Sequence, residues 1–124
     1  MVNPIALDHV QLAMPVGEEI AARQFYGELL GLEEVSKPAP LADRGGCWFK
    51  GANVVIHLGV EADFHPARKA HPAFRVADLE ASRQAFEMAD VSVRMDTSVP
   101  HVRRFFVSDP FGNRLEFIQE GDSF

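Results

Sequence analysis

The 124-residue chain has a single cysteine, no block of basic residues and no long hydrophobic run. Cys47 cannot form a disulfide within the chain, and no apolar segment approaches the length of a membrane span or of a signal peptide. A net charge of −6 argues against binding to nucleic acid or anionic membranes, because both need a basic protein face. We therefore expect a cytoplasmic protein that binds neither.

What the sequence does contain is typical of a globular fold. Hydrophobic residues make up 47% of the chain and charged residues 24%, and the length suits one domain. We predict a single domain over residues 1–124. Within it, module 1 spans about residues 5–60, a linker about 61–70 and module 2 about 71–120.

The two modules show the same order of predicted elements. Each begins with an alternating strand, continues with an amphipathic helix and ends with about three strands. In module 1 the predicted strands are 5–14, 32–35, 47–50 and 53–60, and the helix runs from about 18 to Gly31. In module 2 the predicted strands are 71–76, 91–94, 104–108 and 114–119, and Asp78 caps the helix. The sequence predicts an α+β fold of two tandem βαβββ modules.

Aligning the modules matches two pairs of polar residues. His71 follows His9 by 62 residues and Glu116 follows His57 by 59, so the pairs occupy equivalent positions on the first and last strands. A turn at Asp109–Asn113 precedes the last strand, where Glu116 lies between the apolar Leu115 and Phe117. We therefore expect the Glu116 carboxylate to be buried, and a buried carboxylate needs a partner or a metal.

The four matched residues are the candidate metal ligands. Three imidazoles and one carboxylate form an N/O ligand set suited to Zn²⁺, Ni²⁺, Mn²⁺ or Fe²⁺. A metal would also offset the cost of keeping the Glu116 carboxylate ionised away from water. The alternative is that repeat symmetry preserves hydrogen-bonded packing residues without any metal, which is the more common role of a lone histidine on a strand.

Four segments resemble the vicinal oxygen chelate superfamily, which includes glyoxalase I, fosfomycin thiol transferases, extradiol dioxygenases and metal-free bleomycin-binding proteins. They are Asp8-His9-Val10, the helix segment from Phe25 to Leu32, His71, and the stretch from Asp109 to Glu116. The resemblance implies that the modules form a cupped mixed sheet with helices on its outer face, in a homodimer. It also implies that His9, His71 and Glu116 bind one divalent metal.

His57 stands where glyoxalase I usually has a glutamate. With a histidine there, Glu116 is the only metal-site carboxylate left to act as a base, so the resemblance favours glyoxalase-like chemistry other than plain glyoxalase I activity. The expected function is a lyase, isomerase or thiol-transferase reaction. Its substrate is a small molecule that chelates the metal through adjacent oxygens.

The expected substrate-binding residues are Arg104, Phe106 and Gln11. Arg104 and Phe106 share a face of the strand that lines the substrate site in the family, and Gln11 shares a face with His9. The alternative functions are a drug- or metabolite-sequestering protein of the bleomycin-resistance type and an extradiol-type dioxygenase. His65 and His101 fall outside the repeat register and are expected at the surface.

Overall fold

The structure is a computed structural model that describes residues 1–124. It divides into two compact units, Met1–His65 and Pro66–Phe124, and the division falls within the predicted linker. No helix has the length and hydrophobicity needed to cross a lipid bilayer.

The first unit contains one four-stranded mixed sheet. Its strands are β1 (Val10–Met14), β2 (Glu33–Val35), β3 (Cys47–Lys50) and β4 (Val55–Val60), arranged in the order β1-β4-β3-β2. β1 runs parallel to β4, and the other neighbours are antiparallel. Between β1 and β2, the helix α1 (Glu19–Ala22) continues as a π-helical segment, Arg23–Leu29, and a 3₁₀ segment, Ala39–Arg44, precedes β3.

The second unit repeats this arrangement. Its strands are β5 (Ala73–Val76), β6 (Arg94–Asp96), β7 (Arg104–Ser108) and β8 (Arg114–Gln119), in the order β5-β8-β7-β6, and its helix is α2 (Leu79–Met88). β5 and β8 are parallel, and β6 and β8 are each antiparallel to β7. The shared topology confirms the prediction of two tandem βαβββ modules in an α+β fold.

The strand register confirms the alignment of the two modules. His57 and Glu116 occupy the same position of the last strand in each sheet, and each has one parallel and one antiparallel neighbour. These neighbours are Gln11 and Trp48 for His57, and Ala73 and Phe106 for Glu116. The residues two positions before the parallel neighbours are His9 and His71, as the sequence offsets require.

Each sheet buries one face beneath its own helix. In the first unit, Ala22, Phe25 and Tyr26 form the buried stripe of the helix, and the Tyr26 ring lies 5.9 Å from that of Phe49. Aromatic side chains fill the second core in the same way: the Phe86 ring centroid lies 5.8 Å from that of Phe105 and 5.0 Å from that of Phe117. Because side chains alternate along a strand, His57 and Glu116 each lie on the face of their own sheet that points away from its helix.

Predicted strand boundaries differ from the structure: β2 begins at Glu33 and not at Leu32, β4 begins at Val55 and not at Asn53, and three further strands start later than predicted. β1 begins at Val10 and not at Ile5. In its register with β4, which starts at Val55, residues before His9 have no partner, and Ile5 and Leu7 are fully or largely exposed. β5 likewise begins at Ala73 and not at His71.

The third correction concerns the strand predicted at 91–94, which forms at Arg94–Asp96 instead. The chain leaves α2 through Asp90, whose φ is +59°, and the Val91 amide then donates to the Phe86 carbonyl. Val91 is therefore used to end the helix, and strand pairing with β7 starts three residues later.

Candidate active site

A turn stabilised by Asp109 positions the strand that carries Glu116. The Asp109 carboxylate accepts hydrogen bonds from the Phe111 and Asn113 amides, both at 2.9 Å, and from the Asn113 side chain at 3.0 Å. Gly112 has a φ of +92°, which a residue with a side chain adopts only with strain. The turn is tied to the preceding segment because the Arg114 amide donates to the Ala67 carbonyl at 2.8 Å.

Glu116 lies in a buried cluster of charged groups. Only 3% of the residue is exposed, and its Oε1 accepts a short hydrogen bond from the Arg104 guanidinium. Arg104 also pairs with Asp96 at 3.0 Å. One guanidinium thus faces two carboxylates, and Arg94 and Arg114 lie against the same Phe106 ring as Arg104. The Glu116 carboxylate is therefore held by a cation on one side.

His71 presents a ring nitrogen to this cluster. Its Nδ1 lies 2.8 Å from the Lys69 carbonyl oxygen, which can only accept, so Nδ1 carries the proton. Its Nε2 lies 4.0 Å from Glu116 Oε1. In the neutral tautomer the Nε2 lone pair therefore faces a carboxylate oxygen. Metal-binding histidines commonly hold their other ring nitrogen through a hydrogen bond to a backbone carbonyl in this way.

In the first unit, His57 lies between two other rings. The Trp48 ring is stacked on it at 3.7 Å with an angle of 1° between the planes, and the His9 ring lies 4.0 Å away at 22°. His57 is 7% exposed, and burial lowers its pKa, with a further lowering from the charge of His9. A neutral imidazole is the form that binds metals.

His9 has the same orientation as its repeat mate His71. Its Nδ1 lies 2.8 Å from the Asp8 carboxylate, so Nε2 keeps a free lone pair when the ring is neutral. His9 precedes β1 and is exposed. In both modules, therefore, a histidine lies two positions before the residue that pairs with His57 or Glu116 on the parallel strand, and its Nδ1 is held by an oxygen atom.

The structure brings the four predicted ligands together as two pairs, one in each unit. His9 and His57 are in ring contact, and His71 faces Glu116. No group of three or more His, Cys, Asp or Glu side chains is placed to hold a metal ion. The chemistry of the donors fits a divalent metal, because imidazole nitrogens with free lone pairs and a carboxylate are its usual protein ligands.

The three predicted substrate-binding residues have different surroundings. Arg104 is engaged by Glu116 and Asp96, and its Nε is buried without a partner. Phe106 is 4% exposed and makes an edge contact with the His71 ring at 5.4 Å. Gln11 is exposed and packs against the backbone of Gly59.

Sequence reasoning missed several residues around these groups. Asp96 was not expected to share Arg104, and Arg94 and Arg114 were not expected to contact the ring of Phe106, at 5.0 and 4.0 Å from its centroid. Strand alternation could have predicted Arg114, since it lies two positions before Glu116 and so shares its strand face. Arg94 could not, because the boundary of its strand was predicted wrongly.

Two histidines outside the repeat and the single cysteine remain to be described. His65 and His101 are exposed, as predicted from their position outside the repeat. Cys47 is 2% exposed, and desolvation raises its pKa to about 11. A thiol in that state is a poor nucleophile at neutral pH.

Comparison with known proteins agrees with this architecture. A putative glyoxalase family protein from Bacillus anthracis has 52% identical residues and a TM-score of 0.91, with 96% of this chain and 98% of that chain covered. TnmS3, an antibiotic binding protein from Streptomyces sp. CB03234, has 25% identity and a TM-score of 0.70, with coverages of 97% and 100%.

Lactoylglutathione lyase from Agrobacterium tumefaciens shares the fold at 18% identity, with a TM-score of 0.71 and coverages of 95% and 96%. A search among functionally curated proteins finds no match to the sequence. The profile of the Glyoxalase/Bleomycin resistance protein/Dioxygenase superfamily matches residues 6–117. With nearly the whole chain matched and both modules present, this protein belongs to the glyoxalase/bleomycin resistance protein/dioxygenase superfamily.

Proposed function

We propose that this protein is a metal-dependent enzyme of the glyoxalase type that acts on a small molecule with adjacent oxygen atoms. The metal ligands are His9, His57, His71 and Glu116, and the protein works as a homodimer. The observation that carries the proposal is the orientation of His71: its Nδ1 is held by the Lys69 carbonyl while its Nε2 faces Glu116 Oε1 at 4.0 Å.

The contact between His71 and Glu116 supports the same proposal. When the His71 ring is neutral, its Nε2 and the Glu116 carboxylate are two acceptors that gain from a shared cation. A divalent metal bound there would act as a Lewis acid on a substrate oxygen. Zn²⁺, Ni²⁺, Mn²⁺ and Fe²⁺ all suit a histidine and carboxylate ligand set.

Glu116 is the proposed proton carrier. Arg104 holds its Oε1, whereas Oε2 makes no hydrogen bond within the protein and is the oxygen able to take a proton from a bound substrate. Lyase, isomerase and thiol-transferase reactions can each use one such carboxylate.

Metal titration of protein purified without a histidine tag tests the proposal. We expect stoichiometric uptake of at least one of the four metals, with a marked loss of affinity in His71→Ala and none in the matched surface variant His101→Ala. His101 is exposed and hydrogen-bonds to no group in the structure, so it controls for the removal of one imidazole. Absence of saturable uptake by the wild-type protein would overturn the metalloenzyme proposal.

A sequestering protein is the second candidate, and the ring stack in the first unit favours it. The parallel rings of Trp48 and His57, with His9 beyond, resemble the way flat aromatic molecules are held between rings, and TnmS3 is an antibiotic binding protein. Trp48 is the chain's only tryptophan, so its fluorescence reports binding there directly. Saturable quenching by a flat aromatic drug in metal-free protein, together with no metal uptake, would favour sequestration.

A further inference from the structure

A cavity in the second unit is lined by three arginines and by no acidic residue. Its volume is about 270 Å³, and its lining includes Arg68, Ser92, Arg94, Phe106, Ser108 and Arg114. This is slightly below the usual range for a whole-ligand pocket, about 300 Å³ and upward. The cavity therefore suits one charged group with a few attached atoms.

No carboxylate lies within ion-pairing distance of these three arginines, and Asp96 feels the charge of Arg94 only from further away. Four other arginines of the chain form ion pairs with carboxylates: Arg23, Arg83, Arg103 and Arg104. Arg68, Arg94 and Arg114 form neither an ion pair nor a hydrogen bond through their side chains, and the Nε of Arg114 is fully buried without a partner. No aspartate or glutamate lines the cavity. A buried donor of this kind is costly unless a ligand satisfies it.

The fold holds two of the guanidinium groups close together. Strand register places Arg94 opposite Phe106 on β7, and places Arg114 opposite Ser108. Both guanidinium carbons lie near the Phe106 ring, at 5.0 and 4.0 Å from its centroid, so their separation cannot exceed the sum of these distances. The ring face stabilises the two cations while leaving their N–H groups available.

The third arginine and the hydroxyl groups complete the lining. Arg68 follows Ala67, which is fixed to the turn before β8 because its amide donates to the Asn113 side chain at 3.0 Å. The hydroxyls of Ser92 and Ser108 make no hydrogen bond within the protein. The cavity therefore contains guanidinium and hydroxyl donors, and only solvent is available to accept hydrogen bonds from them.

We propose that this cavity binds a small tetrahedral oxyanion, namely the phosphate monoester group of a small molecule. Guanidinium forks match the geometry of phosphate oxygens, and a dianion relieves the repulsion among three like charges better than a single carboxylate does. The net charge of −6 and the limited volume disfavour a nucleic acid as the source of the phosphate. The cavity shares Phe106 with the site of the function proposed above, but the phosphate contacts come from arginine and serine side chains and do not depend on a metal.

Titration of the full-length protein with methyl phosphate tests the proposal, with inorganic phosphate and acetate as further probes. Excess EDTA is present throughout, so that phosphate bound to a metal does not contribute. We expect saturable binding of both phosphates and clearly weaker binding of acetate. Because the second pKa of a phosphate monoester is about 6, the affinity for methyl phosphate should rise between about pH 5 and pH 7.5.

Two variants and a matched control locate the site. Arg94→Ala and Arg114→Ala should each weaken methyl phosphate binding by roughly tenfold or more, because each removes charged hydrogen bonds to the anion. Arg103→Ala removes an arginine that pairs with Asp122 outside the cavity and should leave affinity unchanged. Arg94 is exposed, so its variant remains informative if Arg114→Ala is unstable.

Three results would each overturn the proposal. The first is a lack of saturable phosphate binding. The second is an Arg94→Ala variant that binds methyl phosphate as tightly as Arg103→Ala does. The third is acetate binding as tight as that of methyl phosphate at about pH 7.5, where the monoester is a dianion.

Discussion

Arg104 donates a charge-assisted hydrogen bond to Glu116, the candidate catalytic carboxylate. The arginine side chain is 15% exposed and the glutamate side chain 5%, so both charges are largely removed from water. Asp96 holds the other side of the guanidinium at 3.0 Å. Any cation that binds Glu116 must therefore compete with Arg104 or share the carboxylate with it.

Glu116→Gln should weaken metal binding and lower stability. The amide keeps the volume but loses the charge, and Arg104 is left with Asp96 alone, at a cost of about 1–3 kcal/mol in the free energy of unfolding. Calorimetric metal titration and urea denaturation measure the two effects. Glu80→Gln is the control, since Glu80 lies in an exposed ion pair on α2 and should change neither quantity measurably. Unchanged metal affinity in Glu116→Gln would remove Glu116 from the ligand set.

Arg104→Gln should have the opposite effect on metal binding. Removing the guanidinium frees the carboxylates of Glu116 and Asp96 and makes the cluster more negative, so metal affinity should increase by roughly tenfold or more. The same variant should be less stable without metal, because two like charges are left close together. Metal titration of the variant and the wild type tests the first statement. Unfolding curves of both proteins in EDTA test the second. Weaker metal binding by Arg104→Gln would contradict the competition between arginine and metal.

His57 should make the protein less stable in mild acid. Burial lowers its pKa in the folded state below the ordinary value of 6.5, so below that pH the unfolded chain binds a proton that the folded chain does not. The free energy of unfolding therefore falls as the pH decreases from 6.5 to the folded-state pKa. Asp8 opposes part of this shift through its negative charge.

Urea midpoints measured at about pH 7.5 and about pH 5.5 check this expectation. His57→Gln should reduce the difference between the two midpoints, whereas His101→Gln, at an exposed position, should leave it as in the wild type. An equal pH dependence in all three proteins would show that His57 does not contribute.

Asp109→Ala should be strongly destabilising, because the residue holds the turn that precedes β8. Its buried carboxylate accepts three hydrogen bonds in the turn before β8, and their loss should cost about 2–4 kcal/mol. Thermal or urea unfolding provides the measurement. Asp63→Ala is a matched control, since it removes the same charge from an exposed side chain and should be nearly neutral. A loss no larger than that of Asp63→Ala would contradict the structural role of the turn.

Cys47 should resist thiol reagents in the folded protein. It is 2% exposed and its pKa is raised to about 11, chiefly by desolvation, so very little thiolate forms at neutral pH. Labelling with a disulfide reagent should be slow in buffer and fast in denaturing urea. Rapid stoichiometric labelling of the folded protein would show that the thiol is accessible and would reopen a nucleophilic role for it.

The sequence by itself determined the repeat and, through it, the positions of the candidate ligands. The pairs His9 with His71 and His57 with Glu116 followed from offsets alone, because strand alternation and helix periodicity are local properties of the chain. The turn at Asp109–Asn113 and the N-cap at Asp78 were also readable, since side-chain to backbone hydrogen bonds act within a few residues.

Tertiary structure decided which side chains meet across strands. The pairing of Arg104 with Glu116 and Asp96, and the cavity between Arg68, Arg94 and Arg114, depend on the register of three neighbouring strands. That register is set by long-range backbone pairing and by where each ladder ends, and neither is encoded in a local pattern. The same reason explains why the strand predicted at residues 91–94 formed three residues later.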